Sequence, residues 1–168
     1  MAKLHSEFER VVLPHLDAAY NLARWLVRDP VAAEDTVQEA MLRALQYHAG
    51  LRGDAKPWLL QIVRNVAYAV LAARSQAAKQ MSDCDDPAWS SDPADTADTP
   101  EAALARDENR HHLDRSLAAL PAELRECLVL REFEELTYKE IAQVTGVAIG
   151  TVMSRLWRAR QALMAMAP

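Results

Sequence analysis

The chain has 168 residues, of which 51% are hydrophobic, and its net charge is −5. This length suits one domain of ordinary size or two small ones, and the few glycines and aromatic residues favour helices over sheets. No run of about 18 apolar residues occurs, so we expect no membrane insertion. The start also lacks an apolar segment of signal-peptide length, which predicts a soluble, cytoplasmic protein. Cys84 and Cys127 form no CxxC pair, and we expect two reduced thiols.

The negative charge is concentrated in one segment. Residues 1–80 contain ten basic and eight acidic residues, and residues 102–168 contain nine of each. The segment 82–101 contains seven acidic residues and no basic one. Because the acidity is local, it does not exclude nucleic-acid binding by the rest of the chain. The same segment is rich in Asp, Ser, Pro and Ala without apolar periodicity, which predicts a flexible linker over 81–100.

The first part of the chain is predicted to be helical. Ser6 and Glu9 have the spacing of a capping box and predict the start of a helix, which Pro14 bends or restarts. Asp29 followed by Pro30 predicts a second helix reaching about residue 47, because an aspartate cap and a proline in the first turn favour helix initiation. The stretch "HAGLRGDA" contains two glycines and predicts a loop.

A third long helix is predicted to start at Pro57. Residues at helical spacing form its apolar face: Leu59, Ile62, Val63, Val66 and Val70. The opposite face carries Gln61, Arg64, Asn65 and Tyr68. Taken alone, such a polar face is most simply a solvated surface.

The last part of the chain predicts four more helices. Thr99-Pro100-Glu101 indicates a helix start, and Pro121 opens the next helix. Thr137 and Glu140 form a capping box before a short helix. Small Ala142, the sharp turn at Gly146 and the core residue Val152 match a helix-turn-helix, which predicts nucleic-acid binding.

The second helix of this motif carries a candidate DNA-reading face. Thr151, Ser154, Arg155 and Arg158 fall together on its outer side. Hydroxyl groups suit phosphates and base edges, and arginine can bond bidentately to guanine. The alternative is a cationic helix end that complements its own dipole. Arg160 lies off this stripe and is expected to contact an acidic neighbour or the DNA backbone, and Ala148 leaves the helix without a side-chain cap.

Three stretches resemble bacterial RNA polymerase sigma factors of the extracytoplasmic-function (ECF) type in the sigma-70 family. They are "DPVAAEDTVQEAMLRAL", "KPWLLQIVRNVAYAVL" and "LPAELRECLVLREFEELTYKEIAQVTGVAIGTVMSRLWRARQAL". The resemblance implies an all-α fold of two small helical domains joined by the flexible linker. Region 2 would span 1–80, the linker 81–100, and region 4 with the helix-turn-helix 101–168.

The resemblance also implies a division of labour. The polymerase-binding residues, which would dock on the clamp helices of the largest subunit, are Asp35, Gln38, Glu39 and Arg43. The residues facing the promoter −10 element are Lys56, Gln61, Arg64, Asn65 and Tyr68, with the loop 48–55 cradling an extruded base. The residues reading the −35 element are Thr151, Ser154, Arg155 and Arg158. Further partners implied are the polymerase flap region and an anti-sigma factor that holds the protein inactive until a stress signal arrives.

Met41, Leu42 and Leu45 would supply either apolar contact with the partner or core, and core is the expectation for each. Trp58 is expected to be a core anchor rather than a stacking platform. The acidic linker would lie along the RNA exit path of the polymerase.

Other functions remain to be separated by experiment. A helix-turn-helix regulator that binds an operator as a dimer is one alternative, and an adaptor that binds proteins through its helices is another. His111 and His112 fit no metal-ligand spacing, so no metal or cofactor is expected. No nucleophile triad, glycine-rich phosphate loop or carboxylate pair indicates an enzyme.

Overall fold

A computed structural model describes residues 2–80 and 100–168, and both ranges are helical with no strand. Eight α-helices are present in these ranges: α1 Ala2–Val12, α2 Leu16–Val27, α3 Pro30–Tyr47, α4 Ala55–Gln80, α5 Pro100–Ala119, α6 Ala122–Glu132, α7 Tyr138–Thr145 and α8 Ile149–Met166. The predicted all-α fold is confirmed. The predicted linker 81–100, including Cys84 but apart from Pro100, lies outside the described residues.

A proline turn precedes α2, and a side-chain cap starts α3. Pro14 lies in a short 3-10 turn, Leu13–His15, which separates α1 from α2 as predicted. At the start of α3, Asp29 Oδ1 accepts a hydrogen bond from the Val31 amide at 3.1 Å, and Pro30 occupies the first turn. The aspartate cap therefore satisfies an amide that has no partner within the helix. That prediction is confirmed.

The capping box predicted at Ser6 and Glu9 is wrong. The first helix already begins at Ala2, so Ser6 lies inside it. The residues before Ser6 continue the same helix that places Phe8 and Val12 in the core, so no helix end is present at Ser6 for a side-chain cap to satisfy. The start of α4 also differs slightly, since the helix begins at Ala55 and Pro57 lies in its first turn, where a missing amide costs no hydrogen bond.

Helices α1 to α4 form a unit that we call the N-terminal bundle. Its core lies where α4 packs against α2 and α3. Fully buried side chains from both sides fill this contact: Leu22, Leu26, Leu59, Leu60 and Val63. Trp58 is half-buried and packs against the same core, so its expected anchoring role is confirmed.

Helices α5 to α8 form the C-terminal bundle, and its last two helices are the predicted helix-turn-helix. The Thr137 hydroxyl accepts from the Glu140 amide at 3.1 Å, and the Glu140 carboxylate accepts from the Thr137 amide at 3.1 Å. Gly146 has a φ of 73° and ends α7 in the left-handed conformation. Inside α8, Val152 and Leu156 are buried against α6 and α7. The capping box, the turn and the buried face of the recognition helix are confirmed.

The two bundles pack directly against each other. Helix α4 contacts α7, and α2 contacts α6, so the buried residues of both bundles form one continuous cluster. The predicted promoter face of α4 therefore lies next to the C-terminal bundle.

Two glycines near the turn provide a matched test of its geometry. We expect Gly146→Ala to lower the free energy of unfolding by about 1 kcal/mol, because an L side chain is disfavoured at this positive φ although space is open around it. Gly150→Ala, in the first turn of α8 with equally open surroundings, should be neutral or stabilising by up to about 1 kcal/mol. Urea unfolding followed by circular dichroism measures both. Equal effects of the two substitutions would contradict the turn geometry.

Candidate nucleic-acid and protein interfaces

The outer face of α8 presents three of the four predicted −35 residues. Ser154 and Arg158 are exposed, and Thr151 is half-buried at the start of the helix. The inner residues Val152 and Leu156 fix the rotation of α8, so that this face points away from the bundle. A helix that offers hydroxyls and a guanidinium to the outside can contact phosphates and base edges.

Arg155 is placed differently from its three neighbours. Its side chain is only 15% exposed, and Nη1 lies 3.8 Å from Oε1 of the fully buried Glu126 on α6. Arg160, which was expected to contact an acidic neighbour or the DNA backbone, donates from Nη2 to Glu132 Oε1 at 2.9 Å. The acidic-neighbour alternative is the one that the structure contains.

The predicted −10 face on α4 is partly covered by the C-terminal bundle. Arg64 makes a bidentate contact with Glu126, from Nε to Oε2 at 2.9 Å and from Nη2 to Oε1 at 3.2 Å. Its guanidinium also lies 4.3 Å from the centre of the Tyr68 ring. Gln61 is half-buried, whereas Asn65 is exposed. The structure brings Arg64 and Tyr68 together, but around a carboxylate of the same chain.

Lys56, at the start of α4, is held by the turn between α6 and α7. Its Nζ donates to the Glu134 backbone oxygen at 2.9 Å and lies 3.3 Å from the Glu134 carboxylate. Asn21 on α2 donates to the same carboxylate at 2.9 Å. Beside this contact, the rings of Trp25 and Phe133 stack with centroids 6.2 Å apart. One turn of the C-terminal bundle therefore contacts both α2 and α4.

The Glu126 carboxylate is the electrostatic centre of this interface. Burial raises its pKa, although the hydrogen bonds and charge of Arg64 and the charge of Arg155 act in the opposite direction. Burial by itself lowers the pKa of Arg64, but the hydrogen bond and charge of Glu126 outweigh this, and the net shift is upward. Burial also raises the pKa of Tyr68, and the nearby Glu126 charge adds to that shift. The three groups thus depend on one another for their protonation states.

Burial also favours the neutral form of the residues on either side of Glu126. The pKa of Arg125 is lowered to about 10, first by burial and then by the charge of Arg28. The Arg125 side chain donates a hydrogen bond to the backbone oxygen of Leu120 at 2.9 Å rather than pairing with a carboxylate. The pKa of the buried Cys127 thiol is raised to about 11 by burial and by Glu126, so this thiol is protonated and unreactive at neutral pH.

The predicted polymerase-binding residues lie together on α3. Asp35, Gln38, Glu39 and Arg43 are all exposed on one side of the helix. Arg43 donates to Glu39 across one turn at 2.8 Å, an exposed pair that orders the two side chains.

An apolar groove of about 740 Å³ runs beside this polar strip, between α1, α2 and α3. The side chains that line it are Phe8, Leu16, Asp17, Tyr20, Glu34, Val37, Gln38, Met41, Leu42 and Leu45. Leu42, expected to be core, is 62% exposed, so that expectation is wrong; the helix turns it towards the groove because Ala40 and Ala44 occupy the core side. Met41 and Leu45 are half-buried and pack against the core.

The loop predicted to cradle a base is only partly open. His48 is buried, and its ring meets the Phe8 ring edge to face at 5.5 Å. The following residues Arg52, Gly53 and Asp54 are exposed, and Gly53 has a φ of 79°. The tip of this loop is therefore the part available to a ligand.

Sequence reasoning missed Glu126, Glu134 and Phe133. One signal for Glu126 was present: it stands at helical spacing with Ala122, Val129 and Leu130, a position where a charge requires a buried partner. No local pattern identifies that partner, because Arg64 is 62 residues away in the chain.

No metal or membrane feature appears in the described part of the chain. Within 2–80 and 100–168, no three His, Cys, Asp or Glu side chains are grouped to hold a metal ion. His111 lies 3.4 Å from Asp107 within α5. No helix in these two ranges is long and apolar enough to cross a membrane.

Comparisons with known proteins agree on one family. Residues 11–77 match the Sigma-70 region 2 model, and residues 110–163 match the Sigma-70, region 4 model. The chain is 35% identical over 164 residues to the RNA polymerase sigma-H factor of Pseudomonas aeruginosa, covering 93% of this chain and 83% of that relative. It is 34% identical over 134 residues to the ECF RNA polymerase sigma-E factor of Escherichia coli K12, covering 77% and 70%.

Solved structures share the fold. The sigma factor RpoE from Bartonella quintana, solved in complex with the anti-sigma factor NepR, matches with a TM-score of 0.82 and 25% identity over 95% of this chain and 96% of that chain. CnrH, solved with the cytosolic domain of CnrY, matches with a TM-score of 0.66 and 22% identity over 96% and 88%, which supports the fold alone.

The buried carboxylate makes a stability test possible. We expect Glu126→Ala to lower the free energy of unfolding by about 3 kcal/mol, because Arg64 and Arg155 then face each other without a counter-charge. Glu123→Ala, which removes an exposed glutamate from the same helix, should cost less than about 1 kcal/mol. Chemical denaturation measures the free energy of unfolding of both variants. A similar loss in the two variants would show that the network contributes little.

Proposed function

Because the chain belongs to the ECF group of the sigma-70 family of RNA polymerase sigma factors, we propose that it binds core polymerase through α3 and reads promoter DNA through α4 and α8. The observation that carries this assignment is the separation of two exposed faces. The polar strip on α3 lies beside an apolar groove, and the DNA-reading face of α8 lies on a different helix of the other bundle.

The α3 strip suits a protein partner. Asp35, Gln38, Glu39 and Arg43 supply charge and hydrogen-bonding groups, and Leu42 projects an apolar side chain beside them. Protein interfaces combine a small apolar centre with such a polar rim. The clamp helices of the largest polymerase subunit are the partner that we propose for this strip, with the flap region contacting the C-terminal bundle.

The promoter contacts are proposed on the remaining residues. Helix α4 would face the −10 element with Lys56, Gln61, Arg64, Asn65 and Tyr68. The free-energy cost of unstacking a base there would be offset by stacking on the protein and by hydrogen bonds to the base edge. Thr151, Ser154, Arg155 and Arg158 on α8 would face the −35 element. One phosphate contact by each of the two arginines in this set corresponds to a salt slope of about −2, which is weak for a DNA-binding module. The chain therefore depends on polymerase for stable promoter binding.

An anti-sigma factor and a cytoplasmic location complete the proposal. The whole-chain similarity to RpoE in its complex with NepR supports an anti-sigma partner for this chain. Polymerase and promoter DNA are cytoplasmic, and a chain that works on both is proposed to reside there.

Two arginines on α8 test the −35 assignment. We expect Arg158→Ala to reduce transcription from a cognate promoter by core polymerase about fivefold to 150-fold, because loss of a good arginine–base contact is worth about 1–3 kcal/mol. Arg160→Ala removes the same charge from the same helix but faces Glu132, so it should leave transcription within about twofold. Both variants should bind core polymerase like the unmodified chain. Loss of polymerase binding by Arg158→Ala would contradict the division of labour.

Substitutions in the α3 strip should have the opposite effect, with polymerase binding lost and DNA binding kept. The double variant Asp35→Ala and Gln38→Ala should lose core polymerase in a pull-down while binding a −35 duplex as the unmodified chain does. The two exposed side chains lie away from both predicted DNA faces, so protein binding alone should change. An operator-binding dimer predicts no polymerase capture by any of these proteins and a dimer in gel filtration. Retained polymerase binding by the double variant would overturn the assignment of α3.

A further inference from the structure

The outer side of α8 carries two large apolar side chains that the proposed function leaves without a role. Trp157 is 63% exposed, and Met153 is 53% exposed. Neighbouring exposed apolar side chains are informative, because together they leave a patch of apolar surface in water. Trp157 follows Ser154 by three residues and Met153 by four, so the three side chains are neighbours on the helix surface. The apolar pair therefore borders a residue proposed to contact the −35 element.

The buried side of α8 fixes the direction in which Trp157 projects. Val152, Leu156 and Ala159 are buried in the C-terminal bundle and define that side. With 3.6 residues per turn, Trp157 lies about 130° around the helix from their centre and about 60° from Ser154. Helix side chains lean towards the N-terminus, so the indole covers the turn that carries Ser154. Trp157 thus belongs to the same outward face as the polar −35 residues.

The polar residues of this face leave room for a further contact to a base. The Arg155 side chain is only 15% exposed and lies 3.8 Å from Glu126, so Arg158 is the exposed arginine of the proposed −35 set. In the major groove a thymine is marked by its C5-methyl group, which apolar side chains contact. We propose that Trp157, with Met153 one turn earlier, reads a thymine methyl group in the −35 element. This inference rests on the proposed function of α8.

The charges around Trp157 favour DNA as the ligand of this face. Helix α8 contains no Asp or Glu, so none of its own side chains repels a phosphate. An acidic neighbour lies on another side of the helix: Arg160 pairs with Glu132 at 2.9 Å and lies about 120° around the helix from Ser154. Met164 is 61% exposed and follows Arg160 by four residues, so it lies on that other side. Met164 is therefore an exposed apolar residue of α8 outside the proposed DNA contact.

The test measures base preference at the −35 element. Core polymerase with each full-length protein transcribes a promoter library in which the −35 element is randomised and each member carries a barcode in its transcript. The proteins are the unmodified chain, Trp157→Ala, Trp157→Phe, which keeps an apolar ring, and Met164→Ala as the matched control. A preferred promoter is then rebuilt with deoxyuridine in place of each −35 thymine in turn, which removes only the methyl group. Circular dichroism and polymerase pull-down are measured in parallel.

We expect the unmodified chain, Trp157→Phe and Met164→Ala to prefer thymine at the same −35 position. Deoxyuridine at that position should reduce their transcription about fourfold, the effect of removing one buried methyl-sized group. Trp157→Ala should lose this thymine preference and transcribe the thymine and deoxyuridine promoters equally, while its other base preferences and its polymerase binding stay unchanged. The methyl effect and the substitution should thus not add, as for two groups in contact.

Three results would overturn the inference. They are an unmodified chain that does not distinguish thymine from deoxyuridine, a thymine preference that survives in Trp157→Ala, and a loss in Trp157→Ala that is equal at every library sequence, which would indicate a protein contact. Absence of transcription by the unmodified chain from every library member would overturn the proposed function instead. The two kinds of failure are therefore distinguishable.

Discussion

The fully buried Glu126 is the interaction on which the arrangement of this molecule depends. A buried carboxylate is costly to desolvate, and it is tolerated here because Arg64 binds both of its oxygens and Arg155 lies nearby. These two arginines come from the two helices proposed to read the promoter. One carboxylate therefore joins α4, α6 and α8 and fixes how the two bundles pack against each other.

The fold separates what must stay exposed from what is covered. The α3 strip and the apolar groove beside it remain open to a protein partner, whereas Lys56 and Arg64 of α4 face the C-terminal bundle. On α8, the exposed Ser154 and Arg158 stay outside the contact between the bundles. A protein partner can thus reach α3 without a change in the packing of the two bundles.

Local rules predicted much of the fold but none of the contacts between the bundles. The Asp29 cap, the Thr137–Glu140 capping box and the Gly146 turn were predictable because each depends on residues at most a few positions apart. The start of α1 was not, since the helix already runs through the residues before Ser6, which carry no cap signal of their own. The exposed position of Leu42 also escaped prediction, because an apolar residue at an interface has the same sequence signal as one in the core. The pairing of Arg64 with Glu126 links distant segments and leaves no local pattern.

A double-mutant cycle between Arg64 and Glu126 tests the central claim most directly. The free energy of unfolding is measured by chemical denaturation for the unmodified chain, Arg64→Ala, Glu126→Ala and the double variant. The account predicts that the two single losses do not add and differ from the double loss by about 1 kcal/mol or more, because each single substitution leaves the other charge buried without its partner. Additive losses would contradict the account, since they would show that the pair does not hold the two bundles together.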